Sequence, residues 1–213
     1  MTVVPFNPLD KKNLGASVAE ALLTKEVHPL GSLPKFVGAG VYAIYYTGDL
    51  PIYENMAKMN RNGLFLWPIY VGKAVPKGSR RGIETEKEME PALLKRLREH
   101  AGSIKNTQLK IEDFYCRFLV VDDIWIPLGE SLIITRFTPV WNTLIDGFGN
   151  HTPGSGREKG MRPKWDTLHP GRKWAEKLPP HKDTAEEIGR EAEVYLRNVP
   201  PVLSTQFIEA EGD

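Results

Sequence analysis

Two short runs set a tyrosine near a glycine in strand-like surroundings: GVYAIYYTG at residues 40–48 and PIYVGKA at residues 68–74. If the runs pair, Tyr42 and Tyr70 stand on neighbouring strands, and Gly40 and Gly72 leave room for the backbone of a close ligand. Each phenol is then a polar tip on a rigid base. Ordinary strand tyrosines, as Tyr45, Tyr46 and Tyr115 are expected to be, give the same pattern. A third run, PALLKRLREHAG, is amphipathic: at about 100° per residue Leu93, Leu94, Leu97 and Ala101 form one apolar stripe, flanked by Arg96 and His100. An arginine and a histidine at the border of a buried face can line a cleft, or can be the snorkelling edge of an amphipathic helix. Glu130 opens the next helical pattern, with Ile133, Ile134 and Phe137 following on one face. A carboxylate there either answers the helix dipole in an N-terminal turn or binds a hard cation such as Mg²⁺, which takes few carboxylates plus phosphate and water oxygens. Asn142, closing the PVWN run, can cap, turn or contact a substrate.

To hold these groups together the chain must supply strands under the tyrosines and helices beside them. β-Branched and aromatic residues concentrate at 40–46, 69–73 and 114–121, between turn-forming residues, which predicts three strands. The spacing predicts helices over 91–101, closed by Gly102, over 129–137, stopped before Pro139, and a final acidic one near 184–197. Ahead of them, NLGASVAEALLTKEV reads as a short helix in an N-terminal extension, and the stretch after Asn142 reads as a long loop. The order predicts a small α+β fold, a three-stranded antiparallel sheet with helices on its faces.

The chain of 213 residues, 41% hydrophobic, is the size of one domain with appendages. No apolar run approaches a membrane span, and MTVVPFNPLDKK has no basic segment leading into an apolar one, so the expectation is a cytoplasmic protein without a membrane partner. The single cysteine, Cys116, lies in the apolar FYCRFLVV and is expected in the core. The net charge of +1 hides an uneven distribution. Residues 151–182 carry eight Lys or Arg against three acids, and residues 183–213 carry two against eight. Lys73, Lys77, Arg80 and Arg81 form a second basic cluster. Such clusters attract a polyanion such as nucleic acid, although a charge run is by default a solvated face. The glycines of GSGREKG lack phosphate-loop spacing, and neither C-x-x-C nor H-E-x-x-H occurs, so zinc has no support.

The six polar residues, in this order, resemble the GIY-YIG nuclease superfamily: GVY at 40–42, YVG at 70–72, Arg96 and His100 on a following helix, Glu130 on the next, and Asn142 after it. Val41 and Val71 stand where the superfamily name has isoleucine. The longer runs GAGVYAIYYTG, PIYVGKAVP, RLREH, WNTLIDGFGNHTPGSGR and HPGRKWAEK resemble the type II restriction endonucleases of SacII specificity, CCGCGG. The resemblance implies a single GIY-YIG domain over 1–213, with an N-terminal extension at 1–37, a catalytic core at 38–150, an insertion at 47–68 and a C-terminal extension at 151–213. It implies metal-dependent hydrolysis of double-stranded DNA with Mg²⁺ or Mn²⁺, by a homodimer whose cognate methyltransferase protects host sites. Tyr42 is the implied general base, its phenolate favoured by nearby cations, and His100 accepts or shuttles its proton. Arg96 holds the phosphate, Glu130 binds the metal, and Tyr70 and Asn142 orient phosphate and water. Lys73, Arg80, Arg81, Asn150, His151, Arg157, Arg162, Lys164, Arg172 and Lys173 are the expected DNA contacts, with Trp165 and Trp174 interleaved; packing of that aromatic loop onto the core is the competing reading. A nuclease of homing or repair type, or a non-catalytic DNA-binding protein on this scaffold, are the alternatives.

Overall fold

The computed structural model describes residues 10–75, 91–150 and 160–199. Arg80, Arg81, His151 and Arg157 lie outside the described residues. The elements run α1 (Lys11–Leu23), β1 (His28–Pro29), β2 (Gly40–Tyr46), α2 (Glu54–Asn60), β3 (Tyr70–Ala74), α3 (Ala92–Lys105), β4 (Phe114–Val120), α4 (Ile126–Phe137), α5 (Val140–Thr143), α6 (Lys164–Leu168), α7 (Lys173–Glu176) and α8 (Ala185–Asn198). The α+β expectation holds, with one strand more than predicted. The antiparallel sheet has four strands in the order β1-β4-β2-β3, because two residues of the N-terminal extension pair with Tyr115 and Cys116 of β4.

β2 is the centre of the sheet and is buried along its whole length. Its alternating side chains therefore feed two different cores. Tyr42, Ile44 and Tyr46 point to one face, where Leu93 and Leu97 of α3, Trp141 of α5, Trp165 of α6 and Ile188, Ala192 and Leu196 of α8 cover them. Val41, Ala43 and Tyr45 point to the other, against Ala19 and Leu22 of α1 and Ile126, Ile133 and Phe137 of α4. A strand buried on both faces reads as a continuous apolar run, which is how GVYAIYY is written. Cys116 is buried as expected, and burial pushes its thiol up to about 12, so it packs as an apolar group. The described residues 160–199 take part in the first core, since α6 and α8 both contribute to it. Thr184 and Glu187 form a reciprocal capping box that starts α8.

Two boundaries differ from expectation for local reasons. α3 runs through Gly102 to Lys105, because the tertiary packing of Ile104 outweighs the modest cost of one helical glycine. α4 starts three residues earlier, at Ile126, since Pro127 sits in the first turn where its missing N–H costs nothing. The helix ends at Thr138 in a left-handed conformation, φ 40°, followed by Pro139. The insertion at 47–68 holds α2 and is tied to the sheet by the buried Asn60, whose Nδ2 donates to the Tyr46 and Trp67 carbonyls at 3.0 and 2.7 Å and whose Oδ1 accepts from Trp67 N at 2.8 Å.

Candidate active site

β3 is an edge strand, and the polar residues gather around it. Tyr42 on β2 lies opposite Gly72 of β3. A Cβ at Gly72 would collide with the Tyr42 hydroxyl and with the Tyr70 ring, so that glycine makes room for the protein's own phenol, not for a ligand as expected. The space beside Gly40 is likewise filled, by the Leu119 carbonyl. Tyr42 is completely buried, and its Oη lies 2.6 Å from His100 Nε2. The two phenol rings lie 6.2 Å apart, and the half-buried Tyr70 is hydrogen-bonded to Tyr42. Arg96 bonds to both phenols and donates from Nη2 to the Gly149 carbonyl at 2.7 Å. The α3 stripe thus places Arg96 beside the phenols and takes His100 inside, 1% exposed, not merely to the border of the apolar face.

Burial is the largest influence on both phenols and pushes their pKa values up, Tyr42's well above the usual range. Each phenol is raised further by the charge of Glu130 and, for Tyr42, by Tyr70. Arg96 pulls the other way without prevailing. The expected phenolate is therefore not favoured here; Tyr42 is a neutral hydroxyl joined to an imidazole.

Glu130 approaches from the other face of the sheet. It sits in the second turn of α4, beyond the reach of the helix dipole, and its Oε2 is 2.7 Å from Lys73 Nζ. Lys73, expected on a DNA-facing cluster, is thus the charge partner of the carboxylate. Alternation along β3 sends Tyr70 and Gly72 to one face and Val71 and Lys73 to the other, so the five-residue strand brings both groups to one rim. The described residues contain no group of three His, Cys, Asp or Glu side chains that could cage a metal. One carboxylate, 20% exposed, is nevertheless a fitting donor for a hydrated Mg²⁺ that takes its other oxygens from phosphate and water.

Asn142 does something else than expected. Its Oδ1 accepts from Val71 N and its Nδ2 donates to Val71 O, both at 2.8 Å. With Trp141 N donating to the Ile69 carbonyl at 3.0 Å, α5 seals the outer edge of β3 much as another strand would. Both polar ends of the amide are taken up by backbone.

A family model described as the Eco29kI GIY-YIG domain matches residues 34–196. The chain belongs to the Eco29kI GIY-YIG family. It is a restriction-type GIY-YIG nuclease domain, an enzyme that acts on DNA. No curated protein matches it, and among the described residues no helix is long and apolar enough to cross a membrane.

In this GIY-YIG domain three of the described cations expected to face DNA, Arg162, Lys164 and Arg172, have partners within the chain. Arg162 donates to the Ala175 and Glu176 carbonyls at 3.2 and 3.1 Å, which caps the end of α7. Lys164 Nζ is 2.8 Å from Glu191 of α8. Arg172 is 3% exposed and pairs with the equally buried Asp166, and its guanidinium lies 4.5 Å from the Trp165 ring centre and 4.8 Å from that of Trp174. Burial pushes the Asp166 carboxyl up and Arg172 opposes this. Lys173 and Asn150 are exposed. The interleaved tryptophans and cations are thus, for Trp165 and Arg172, core packing, the competing reading of that stretch.

Sequence reasoning missed Phe148 and Gly149. The Phe148 ring stacks on His100, centroids 4.5 Å apart at 20°, and meets Tyr70 edge-on at 4.9 Å. The glycines around Phe148 in DGFGN were a signal of close approach that was legible without being assignable.

Proposed function

We propose that the protein is a type II restriction endonuclease that hydrolyses double-stranded DNA at a short palindromic GC-rich site, CCGCGG, with Mg²⁺ or Mn²⁺, and breaks both strands. The observation that carries this reading is the linked set Tyr70, Tyr42, His100 and Arg96 on one face of an edge strand, with Glu130 reaching the same strand from the other.

The attacking water gives its proton to Tyr42 Oη, and Tyr42 passes its own along the 2.6 Å bond to His100 Nε2. A relay of this kind needs no phenolate, which suits a phenol whose pKa burial has raised. Because the Tyr42 hydroxyl is covered, water reaches it when the half-buried Tyr70 moves aside, or acts through the Tyr70 hydroxyl bonded to it. With DNA bound, the planar fork of Arg96 turns from the phenols and the Gly149 carbonyl to two phosphate oxygens and balances the charge of the five-coordinate phosphorus. Glu130 would hold the divalent ion, which supplies positive charge on the side of the leaving 3′ oxygen. Lys73 neutralises the carboxylate otherwise.

A palindrome offers two scissile phosphates in opposite orientations, so two copies related by a two-fold axis would address both. Six G·C pairs present a dense row of guanine N7 and O6 acceptors to arginines. The cytoplasm is the expected compartment, with a cognate methyltransferase protecting host sites.

Plasmid digestion with and without Mg²⁺, by the wild-type chain and by Glu130→Gln, tests the reading. Discrete fragments with ends inside CCGCGG are expected from the wild type, and DNA binding without cleavage from the variant. Unspecific degradation, nicking alone, or unchanged cutting by Glu130→Gln would overturn it. Sedimentation on a short CCGCGG duplex should give two chains per duplex. One chain per duplex with efficient cleavage of both strands would remove the dimer.

A further inference from the structure

The turn that covers the catalytic pair is itself held from behind by one buried arginine. Arg172 Nε donates to Asp166 Oδ1 at 2.6 Å and Nη2 to Asp166 Oδ2 at 2.5 Å. Its remaining bonds go to three carbonyls of a single turn: Nη2 to Gly147 at 2.8 Å, and Nη1 to Phe148 at 3.1 Å and to Asn150 at 3.2 Å. A guanidinium has five N–H donors, and these five acceptors use all of them. Asp166 fixes the plane of the fork, and Trp165 and Trp174 lie over it.

Two residues of that turn, Phe148 and Gly149, touch the catalytic groups on its other side. Gly147, at φ 104°, reverses the chain, and Asn150 N closes the turn on the Gly147 carbonyl at 3.0 Å. Between them, the Phe148 ring lies flat on His100, and the Gly149 carbonyl accepts from Arg96. The imidazole must keep Nε2 on Tyr42, and Arg96 is a long side chain with many rotamers that must present a planar fork. Neither is fixed by its own helix alone.

We infer that Arg172 is a positioning residue for the nuclease chemistry: through the Gly147–Asn150 turn it sets the His100 ring and the Arg96 guanidinium, although it touches neither. The inference rests on the nuclease reading above. Lysine cannot replace this arginine, since one ammonium cannot satisfy a carboxylate and three carbonyls spread around a plane.

The test uses the full chain with Arg172→Lys, Phe148→Leu and Gly149→Ala. A methyl at Gly149 would lie 2.7 Å from the Tyr70 hydroxyl and 3.4 Å from Arg96 Nη2, so this variant and Phe148→Leu disturb the contact while leaving the Arg172 side intact. Well below each melting temperature, Arg172→Lys and Phe148→Leu should lower the single-turnover cleavage rate by about 10²-fold, the cost of a misplacement near 1 Å. DNA affinity without metal should stay within about threefold, a split that general loss of fold would not give. The ring ¹⁵N resonances of His100 should move in both variants, while those of His28 on β1 stay. A folded Arg172→Lys that cuts at the wild-type rate with unmoved His100 resonances would reduce Arg172 to a stabilising residue and overturn the inference. If Arg172→Lys does not fold, unchanged rates and resonances in both Phe148→Leu and Gly149→Ala overturn it equally. Should the wild type cut no DNA, the nuclease reading fails by itself, and unmoved His100 resonances would still refute the positioning.

Discussion

Replacing Asn142 by Asp changes one atom of the clamp on β3. The carboxylate keeps the oxygen that accepts from Val71 N, but it sets a second oxygen against the Val71 carbonyl, where the amide had donated at 2.8 Å. One hydrogen bond worth about 1 kcal/mol is lost, and a part-buried carbonyl left facing an anion adds about 1–3 kcal/mol. At about 2–4 °C per kcal/mol for a chain of this size, the melting temperature should fall by roughly 5–15 °C at neutral pH. Because Val71 lies between Tyr70 and Gly72, cleavage measured well below that temperature should also fall, by about tenfold or more. A protonated carboxyl regains a donor for the Val71 carbonyl, so the gap to wild type should narrow as the pH is lowered from about 8 to about 5. Differential scanning calorimetry across that range, paired with single-turnover plasmid cleavage, reads both effects. A melting temperature within about 1 °C of wild type, or a gap that does not change with pH, would refute the clamp.

Tyr42→Phe removes the hydroxyl alone and should lower the single-turnover rate by at least about 10²-fold with DNA affinity retained; a loss under about tenfold would return the base to His100 or to water. His169, 2% exposed, accepts from or donates to Tyr53 Oη at 2.7 Å, and burial lowers its pKa from 6.5 to about 3. The unfolded chain therefore takes up the proton first, and stability is lost as pH falls through 6.5 toward about 3, at about 1.4 kcal/mol per unit. Between pH 7 and pH 5 wild type should lose about 2 kcal/mol more than His169→Gln in urea unfolding, and parallel curves would show that His169 is not buried neutral.

What the sequence made legible is what repeats locally. The concentration of β-branched and aromatic residues around Tyr42 and Tyr70 announced strands, and the stripe of Leu93, Leu97 and Ala101 announced the helix that carries Arg96 and His100. β1 escaped because two residues, one of them proline, have no period to detect. The pattern of Glu130, Ile133, Ile134 and Phe137 marks α4 only from its second turn, and its first turn holds Pro127, which carries no part of that period. The pairing of Lys73 with Glu130, and of Arg172 with the Gly147–Asn150 turn, joins segments far apart in sequence, and a charged residue in a basic run carries no mark of its burial. Asn142 was found as a member of the site, but its role depends on an edge strand whose position only the sheet order reveals.

The phenols on one face of β3 and the Glu130–Lys73 pair on the other are packed by different layers, yet the charge of Glu130 reaches both phenols across the strand. Changes under α3 act on phenols and imidazole; changes between α1 and α4 act on Glu130 and Lys73. On the proposed reading, substitutions confined to the α1–α4 layer should retune metal preference and, through the charge of Glu130, should also move the pH profile of proton transfer. An engineer, or natural drift, can thus repack one side without rebuilding the other, while charge still couples the two across the five residues of β3.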